Sequence, residues 1–246
     1  MRRKQNFKLD FQPGLIVGNK YQISKHIGGG WEGEVYKGEE VSSKIPVALK
    51  FFYPKRNPKN KVAKQYAQRL YKLSESPVSI NYYTQENIRF KGQEITCFVY
   101  EYAEGMILSN YLKRQPGGRI GVMQGLLLLH SLTKGIENVH FHNEYHGDLH
   151  SDNIIIRRKG LGFEFKLLDM YNWGDAKSLN KAEDILNLIR IFYEAIGGRK
   201  HYAKHPKEVK DICLGLRSNL IKKKFKSASA LRQHIENIEW QSESRL

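Results

Sequence analysis

The hydrophobic pattern divides the chain into a strand-like first part and a helical second part. Before residue 103, β-branched and aromatic segments alternate with glycines and polar turns, which predicts short strands. One basic stretch, Lys61–Leu73, has a helical pattern between two prolines and Ser76-Pro77. The predicted strands are Tyr21–Ile27, Gly33–Tyr36, Val47–Phe52, Ile88–Phe90 and Ile95–Tyr102, with a turn at Lys91-Gly92.

From Leu108 onward, the apolar residues recur with the period of helices. Met123–Val139 and Ala182–Ile196 each have a broad apolar face typical of a buried helix. Between them lie two short apolar runs, Asn153–Ile156 and Phe163–Leu168, joined by a turn at Lys159-Gly160. We therefore predict an α+β protein with a small antiparallel sheet and one helix, followed by a larger, mainly helical part.

Composition narrows the possible partners. Among 246 residues, 41 Lys and Arg against 25 Asp and Glu give a net charge of +16, so the surface should attract anions. Two cysteines exclude a disulfide framework and favour a reducing, cytoplasmic location. The basic N-terminus lacks the apolar core of a signal peptide, and no apolar run approaches the roughly 18 residues of a membrane span.

A glycine-rich segment lies between the first two predicted strands. Gly28, Gly30 and Gly33 follow the pattern G-x-G-x-x-G. Glycines allow a backbone to approach a phosphate chain, because no side chain stands in the way. A predicted strand, not a helix, follows them, which disfavours a Rossmann fold. Lys50, at the buried end of the next strand, would need an anionic partner, since an unpaired buried charge is costly.

A polar loop before the strand Ile154–Ile156 carries the densest candidate chemistry. Its sequence is H-G-D-L-H-S-D-N, from His146 to Asn153. Asp148 could accept a proton from a nucleophilic hydroxyl. Asn153 and Asp169 offer the hard oxygen ligands that Mg²⁺ prefers.

The ordered set of these elements resembles the protein-kinase superfamily, from about Tyr21 to Trp240. The Gly-rich loop, V-A-L-K ending at Lys50, the stretch Phe98–Gly105, the H-x-D-L-x-x-x-x-N loop and Asp169 occur in the family's order. The resemblance implies a bilobal kinase-like fold with an N-lobe over residues 21–102, a C-lobe over residues 103–246, and a basic extension over residues 1–20.

The resemblance also implies ATP and Mg²⁺ as cofactors and assigns a role to each matching residue. The three glycines would cover the phosphates, and Lys50 would hold the α- and β-phosphates. Asp148 would orient the acceptor hydroxyl, while Asn153 and Asp169 would hold Mg²⁺. The remaining assignments are Val35 and Ala48 as nucleotide-binding residues, Glu101 and Ala103 as hinge residues offering backbone groups to adenine, Tyr100 behind the base, and Asp184 as a brace of the catalytic loop.

Departures from the family pattern leave the activity open. Protein kinases pair the strand lysine with a glutamate on the N-lobe helix, yet Lys61–Leu73 contains no acidic residue. Gln65 and Gln68 are the nearest candidates, and Glu75 could compensate if the helix runs longer. Alternatively, Lys50 could contact Asp169 or be positioned by the nucleotide alone. A nucleotide-binding pseudokinase or interaction module is therefore one alternative.

A second alternative is a small-molecule kinase. Gly147 and His150 make the loop similar to that of aminoglycoside phosphotransferases. Met170-Tyr171 replaces Phe-Gly after Asp169, and the segment from Asp169 to Asp184 is short and lacks A-P-E. Trp173, in that segment, is a candidate for the substrate side. We nevertheless expect transfer to Ser or Thr of a protein as the leading function.

The basic C-terminal part is a candidate docking surface. The ordinary explanation of its charge is a solvated face, and the alternative is docking of an acidic protein or an anionic lipid. Nucleic acid is disfavoured because aromatic residues are not interleaved with the basic ones. The basic residues are Arg199, Lys200, Lys204, Lys207, Lys210, Lys222, Lys223, Lys224 and Lys226.

Overall fold

A computed structural model describes residues 8–170 and 177–239 of the chain. The chain forms two compact units. The first, Met1–Glu75 with Ser79–Ala103, is called the sheet unit below. The second, Ser76–Val78 with Glu104–Leu246, is called the helical unit.

The sheet unit contains six strands and one long helix. The strands are β1 (Ile16–Val17), β2 (Tyr21–Gly29), β3 (Gly33–Glu40), β4 (Pro46–Phe52), β5 (Tyr82–Phe90) and β6 (Gln93–Glu101), and helix α1 spans Lys61–Lys72. All neighbours in the order β1-β2-β3-β4-β6-β5 pair antiparallel.

The predicted strands and helix of this unit are confirmed, with two additions. The turn at Lys91-Gly92 forms with φ of 49° and 74°, the left-handed pair that a two-residue hairpin turn requires. Strand β1 was not predicted, and β5 begins six residues earlier than the predicted Ile88. Because β5 is an edge strand, its residues alternate between exposed and half-buried, and its first part is too polar to stand out by hydrophobicity.

The two faces of the sheet carry different residues. Directly opposed residues of antiparallel strands share a face. Tyr36 pairs with Leu49, and Leu49 pairs with Val99, so these three lie on one face and are buried in a common core. Val35 pairs with Lys50, which places both on the other face.

The N-terminal segment belongs to the sheet unit from Lys8 onward, although the sequence analysis set residues 1–20 apart as an extension. Leu9 and Phe11 are buried in the core cluster. The Phe11 ring packs against Phe51 and Phe90, with ring centroids 4.7 and 4.9 Å apart. Isolated apolar residues in a basic segment carry no periodic signal, so this packing was not predictable from the pattern.

A buried carboxylate fixes this segment. Glu34 accepts hydrogen bonds from the backbone N–H of Leu9 at 3.1 Å, the Tyr36 hydroxyl at 2.6 Å and the Tyr53 hydroxyl at 3.0 Å. Burial acts to raise the pKa of Glu34, but these hydrogen bonds outweigh it and lower that pKa. Burial and the bond to Glu34 raise the pKa of Tyr53 to about 12. Glu34 is therefore ionised at neutral pH and joins three parts of the unit.

Helices dominate the helical unit. Its strands are β7 (Met106–Ile107), β8 (Ile154–Lys159) and β9 (Gly162–Leu167), paired antiparallel in the order β7-β8-β9. Its helices are α2 (Leu108–Lys113), α3 (Val122–Phe141), α4 (Lys177–Ala195), α5 (Gly198–Tyr202), α6 (Lys207–Cys213), α7 (Ser218–Lys224) and α8 (Ala228–Glu236). The two long predicted helices are confirmed as α3 and α4, and the two apolar runs as β8 and β9.

Two glycines of α3 let other elements approach it closely. A Cβ added at Gly125 would lie 2.5 Å from Ile196, and one at Gly135 would lie 2.4 Å from the Phe165 ring. Such distances are far below van der Waals contact, so a larger residue at either position would force the neighbouring side chains to move. Phe165 belongs to β9, and Gly135 therefore sets the β8–β9 hairpin directly on α3.

Two further findings concern the described residues. No helix among them is long and apolar enough to cross a membrane. Cys97 and Cys213 are free and buried, and burial raises the pKa of the Cys213 thiol to about 12.

The packing of Phe11 gives a stability prediction. Phe11→Ala should lower the free energy of unfolding by about 3–5 kcal/mol, because it leaves a cavity beside the rings of Tyr36, Phe51 and Phe90. Phe141→Ala is the matched control, since Phe141 is 85% exposed, and it should cost less than about 0.5 kcal/mol. Denaturant unfolding measures both, and equal losses would show that the N-terminal segment does not pack on the sheet.

The lowered pKa of Glu34 predicts an acid dependence. A carboxylate with a lowered folded-state pKa contributes stability above its unfolded value of 4.5, and that contribution is lost as the pH falls through the folded value. Glu34→Gln should thus destabilise the protein at pH 7 by about 1–3 kcal/mol, with a smaller difference from wild type below pH 4.5. Urea titrations across pH measure this, with Glu39→Gln on the same strand as a more accessible control, since 40% of the Glu39 side chain is exposed. A stability difference between Glu34→Gln and wild type that stays constant with pH would contradict this role of Glu34.

Candidate active site

The glycine-rich loop is the tight connection between β2 and β3. The N–H of Gly30 donates to the carbonyl of Gly33 at 2.9 Å and closes the turn. A Cβ at Gly33 would lie 1.9 Å from the Phe51 carbonyl oxygen, so the approach of β4 alone requires glycine there. A Cβ at Gly28 or Gly30 would meet no described atom within 4 Å. The packing described here therefore requires Gly33 but not the other two.

The sheet brings Val35, Ala48 and Lys50 together on one face. Val35 lies opposite Lys50, and Ala48 is two residues from Lys50 on β4. Tyr100 lies opposite Ala48, so it shares this face. The sequence analysis assigned all four residues to nucleotide binding, and the register of three strands places them side by side.

Lys50 is buried and has a carboxylate partner in the loop. Its residue exposure is 6%, and its Nζ lies 3.3 Å from Oε2 of Glu32. The Nζ also lies 5.0 Å from the centre of the Tyr66 ring and 5.5 Å from that of Phe52, within reach of a cation–π interaction. The sequence analysis missed Glu32, because the contact depends on how the loop folds.

Helix α1 presents an aromatic ring to Lys50. The residues considered from sequence, Gln65, Gln68 and Glu75, are all exposed, and Glu75 lies beyond the end of the helix. Tyr66 is half-buried and is the α1 side chain that contacts the lysine. The expectation of a glutamine or Glu75 at this position is corrected accordingly: the α1 contact comes from Tyr66, adjacent to Gln65 in sequence.

The predicted hinge residues lie at the end of β6. The N–H of Glu101 donates to the Asn81 carbonyl at 2.9 Å, and its carboxylate accepts from the Asn81 side chain. The contact to adenine predicted for Glu101 would thus use its carbonyl oxygen. Ala103 follows two residues later, is half-buried and is the last residue of the sheet unit.

In the helical unit, a fully buried carboxylate holds the polar loop. Asp184 of α4 is 0% exposed and accepts hydrogen bonds from the backbone N–H of His146 at 2.7 Å and of Gly147 at 3.0 Å. Nε2 of His140 lies 3.0 Å from the same carboxylate. Gly147 has a φ of 83°, which glycine adopts without strain. The predicted bracing role of Asp184 is confirmed, and His140 is an addition.

A second set of hydrogen bonds shapes the loop around Asp148. The N–H of Asp148 donates to Nδ1 of the buried His146 at 3.2 Å. The side-chain amide of Asn153 donates to the Asp148 carbonyl at 2.9 Å and to its carboxylate at 3.3 Å. Nε2 of His150 lies 3.6 Å from the Asp148 carboxylate. Asp148 is thus exposed but restrained on its backbone and side chain.

The β8–β9 hairpin brings Asp169 to the same loop. Ile154 pairs with Leu167, so the residues flanking that pair meet at one end of the hairpin. The N–H of Leu168 donates to the Asn153 carbonyl at 2.9 Å. Asp169 is the next residue and is exposed, with a φ of 48°. Asp and Asn tolerate this left-handed conformation better than most residues. Within this unit, the predicted Asp148, Asn153 and Asp169 lie in one neighbourhood.

One prediction falls on a residue outside the described part. Trp173 belongs to residues 171–176, which the structure does not describe. The predicted role of Trp173 at the substrate side therefore stays a prediction.

Known proteins similar to this chain are protein kinases. Residues 21–205 match the family model described as the protein kinase domain. The chain is 28% identical over 160 residues to the serine/threonine-protein kinase pkn2 of Myxococcus xanthus, covering 63% of this chain and 18% of that protein. It is 28% identical over 152 residues to the serine/threonine-protein kinase PrkC of Bacillus subtilis, covering 60% and 22%. The chain thus spans about a fifth of the length of these relatives.

A solved structure shows the same fold. The kinase domain of Mycobacterium tuberculosis PknI, solved as a double mutant, matches with a TM-score of 0.65 at 14% identity, over 93% of this chain and 97% of that one. At this identity the likeness is evidence for the fold alone. The predicted α+β, protein-kinase-like fold is confirmed. Together with the match of the family model over most of the sequence, this shows that the chain belongs to the protein kinase family.

Proposed function

We propose that this protein is an ATP- and Mg²⁺-dependent phosphotransferase that moves the γ-phosphoryl group to a hydroxyl, that of Ser or Thr on a protein. The observation that carries the proposal is the arrangement around Asp148. A loop fixed by a buried aspartate presents an exposed carboxylate, Asp148, beside Asn153, whose backbone is bonded to the residue before Asp169.

Asp148 is suited to orient the acceptor. Its carboxylate is exposed, so a hydroxyl can reach it, and its restraints limit the positions that the carboxylate can take. It would hold the hydroxyl in line with the γ-phosphorus and accept the hydroxyl proton as the new oxygen–phosphorus bond forms, the bond from the γ-phosphorus to the bridging oxygen breaks and ADP leaves. Positioning of this kind supplies much of the rate enhancement in phosphoryl transfer, because little covalent chemistry is left to the protein.

The oxygens of Asn153 and Asp169 fit a magnesium ion. The amide nitrogen of Asn153 is used by Asp148, which leaves the amide oxygen on the opposite side of the group. Among residues 8–170 and 177–239, no group of three or more His, Cys, Asp or Glu could hold a metal unaided. Mg²⁺ commonly takes one or two protein ligands together with phosphate oxygens. Bound there, it would neutralise charge on the phosphates.

The sheet unit supplies the features expected for the nucleotide. Val35, Ala48 and Tyr100 form a mainly apolar surface beside Lys50, suited to a base and its phosphates. Gly28 and Gly30 have no side chain, although the described packing leaves room for one at both positions. Close approach of phosphate oxygens to the N–H groups of the loop explains glycine at these positions.

One observation favours a small-molecule acceptor as the second candidate. Helix α4 begins by Lys177, five residues before the predicted Ala182, so residues 170–176 alone connect it to Asp169. In protein kinases the corresponding region forms the platform for a peptide. A connection this short leaves little chain for such a platform.

The basic surface of the helical unit suits an acidic protein partner. Several of its side chains already have partners, for example Lys222 with Glu183 and Lys224 with Asp211. The remaining charge would attract a partner at a distance and strengthen binding at low salt. The exposed basic residues are Arg199, Lys200, Lys204, Lys207, Lys223 and Lys226.

Replacement of Asp148 tests the mechanism. Asp148→Asn should lower kcat for phosphoryl transfer by about 10²–10⁴-fold, because the substrate hydroxyl loses the carboxylate that takes its proton. The Kd for Mg-ATP should stay within about twofold, since Asp148 contacts the hydroxyl and not the nucleotide. Calorimetry and a phosphate-transfer assay give both values. Asp152→Asn is the matched control in the same loop and should retain transfer. An active Asp148→Asn protein would refute the mechanism, and a wild type that binds Mg-ATP without turnover would indicate a pseudokinase.

The acceptor is tested by following the transferred phosphate. After incubation with Mg-ATP, a mixture of protein, peptide and small hydroxyl substrates should show new phosphate on Ser or Thr, including residues of this chain. Mass spectrometry locates the modified residues. Phosphate found only on small hydroxyl compounds would overturn the protein substrate in favour of the second candidate.

A further inference from the structure

The charge on Lys50 poses a problem that helix α1 does not solve. The ammonium group lies on a strand, with 7% of its side chain exposed, and α1 contributes no acidic residue along its whole length. The α1 contact is the ring of Tyr66, which attracts a cation but carries no net charge. An ammonium group in such a place requires a carboxylate to remain charged and to keep one orientation.

Glu32 supplies that carboxylate from the glycine-rich loop. Its Oε2 lies 3.3 Å from Nζ of Lys50, and 24% of its side chain is exposed. An ion pair between two largely shielded side chains is stronger than one on the surface, because water screens it less. On β3, by contrast, the pair of Glu39 with Lys44 has side chains that are 40% and 63% exposed.

The tip of the loop is fastened to the strand that carries the lysine. The carbonyl of Glu32 accepts from the N–H of Tyr53, just past the end of β4, at 2.8 Å. The guanidinium of Arg56 lies against the Trp31 ring, with its Cζ 3.8 Å from the centre of the ring. Glu32 is held between these two attachments, so its carboxylate reaches Lys50 from a fixed backbone position.

We propose that Glu32 is the positioning residue for Lys50 and takes the place of the missing helix glutamate. The inference rests on the proposed function, in which Lys50 binds the nucleotide phosphates. Lys50 lies on β4, and Glu32 lies in the β2–β3 loop, whose tip is hydrogen-bonded to the residue after β4. The orientation of Lys50 is therefore set within the sheet, and it does not depend on a movement of α1 to bring a carboxylate to the lysine.

The chemical reactivity of Lys50 tests the pair without any need for activity. Only the unprotonated amine reacts with an acylating reagent, and a neighbouring carboxylate favours the protonated form. In the full chain without nucleotide, Glu32→Gln should raise the acylation rate of Lys50 by about threefold to tenfold, as measured by quantitative mass spectrometry. Glu39→Gln is the matched control and should leave Lys50 unchanged. An unchanged Lys50 rate in Glu32→Gln would overturn the inference.

Kinetics then test the positioning role. Glu32→Gln should lower kcat by about tenfold or more, with a smaller change in KM for ATP, because a misoriented lysine still attracts phosphate but no longer places it. Glu32→Asp, which restores the charge on a shorter side chain, should recover part of kcat. Equal kcat in wild type and Glu32→Gln, at equal thermal stability, would overturn the role.

The outcomes separate this inference from the proposed function. If wild type transfers no phosphate but Lys50 still becomes more reactive in Glu32→Gln, the proposed function fails and the ion pair stands. If wild type is active and neither reactivity nor kcat responds to Glu32→Gln, the proposed function stands and the inference fails. Should Glu32→Gln fold poorly, the uncharged Glu32→Met, whose side chain has a similar length, replaces it, with Glu32→Asp as the variant that keeps the charge.

Discussion

A carboxylate shut away from water, Asp184, organises the loop on which the proposed chemistry depends. A buried charge is tolerated only where hydrogen bonds replace its hydration. The backbone N–H groups of His146 and Gly147, together with the His140 ring, provide those bonds. If the loop left this arrangement, the buried charge of Asp184 would lose its hydrogen bonds. The position of Asp148 is therefore determined by electrostatics as well as by packing.

The same constraint operates in the sheet unit with the opposite sign. Lys50 carries the buried charge there, and Glu32 of the neighbouring loop forms an ion pair with it. Because strand register fixes Lys50 and two attachments fix the tip of the loop, the sheet itself provides the alignment that protein kinases take from a helix glutamate. The departure of this chain from the family pattern is thus accompanied by a compensating contact, which favours an enzyme over an inert relative.

Local pattern predicted the strands and long helices because their faces are buried continuously, and motif order predicted that Asp148, Asn153 and Asp169 lie near one another. Contacts between residues distant in sequence could not be predicted in this way. Leu9 packs on residues distant in sequence, and the partner of Lys50 depends on the conformation of a loop. On α1, the contact comes from Tyr66 and not from Gln65, since adjacent helix positions differ by about 100° in direction. Strand register and helix rotation are properties of the fold, and single residue types do not reveal them.

A crystal structure of the full chain with Mg²⁺ and a nonhydrolysable ATP analogue tests the account most directly. The account predicts phosphate oxygens on the amine of Lys50 with Glu32 still paired to it, and a metal ion held by the side-chain oxygens of Asn153 and Asp169. A nucleotide bound away from either Lys50 or the Asn153–Asp169 pair would contradict it.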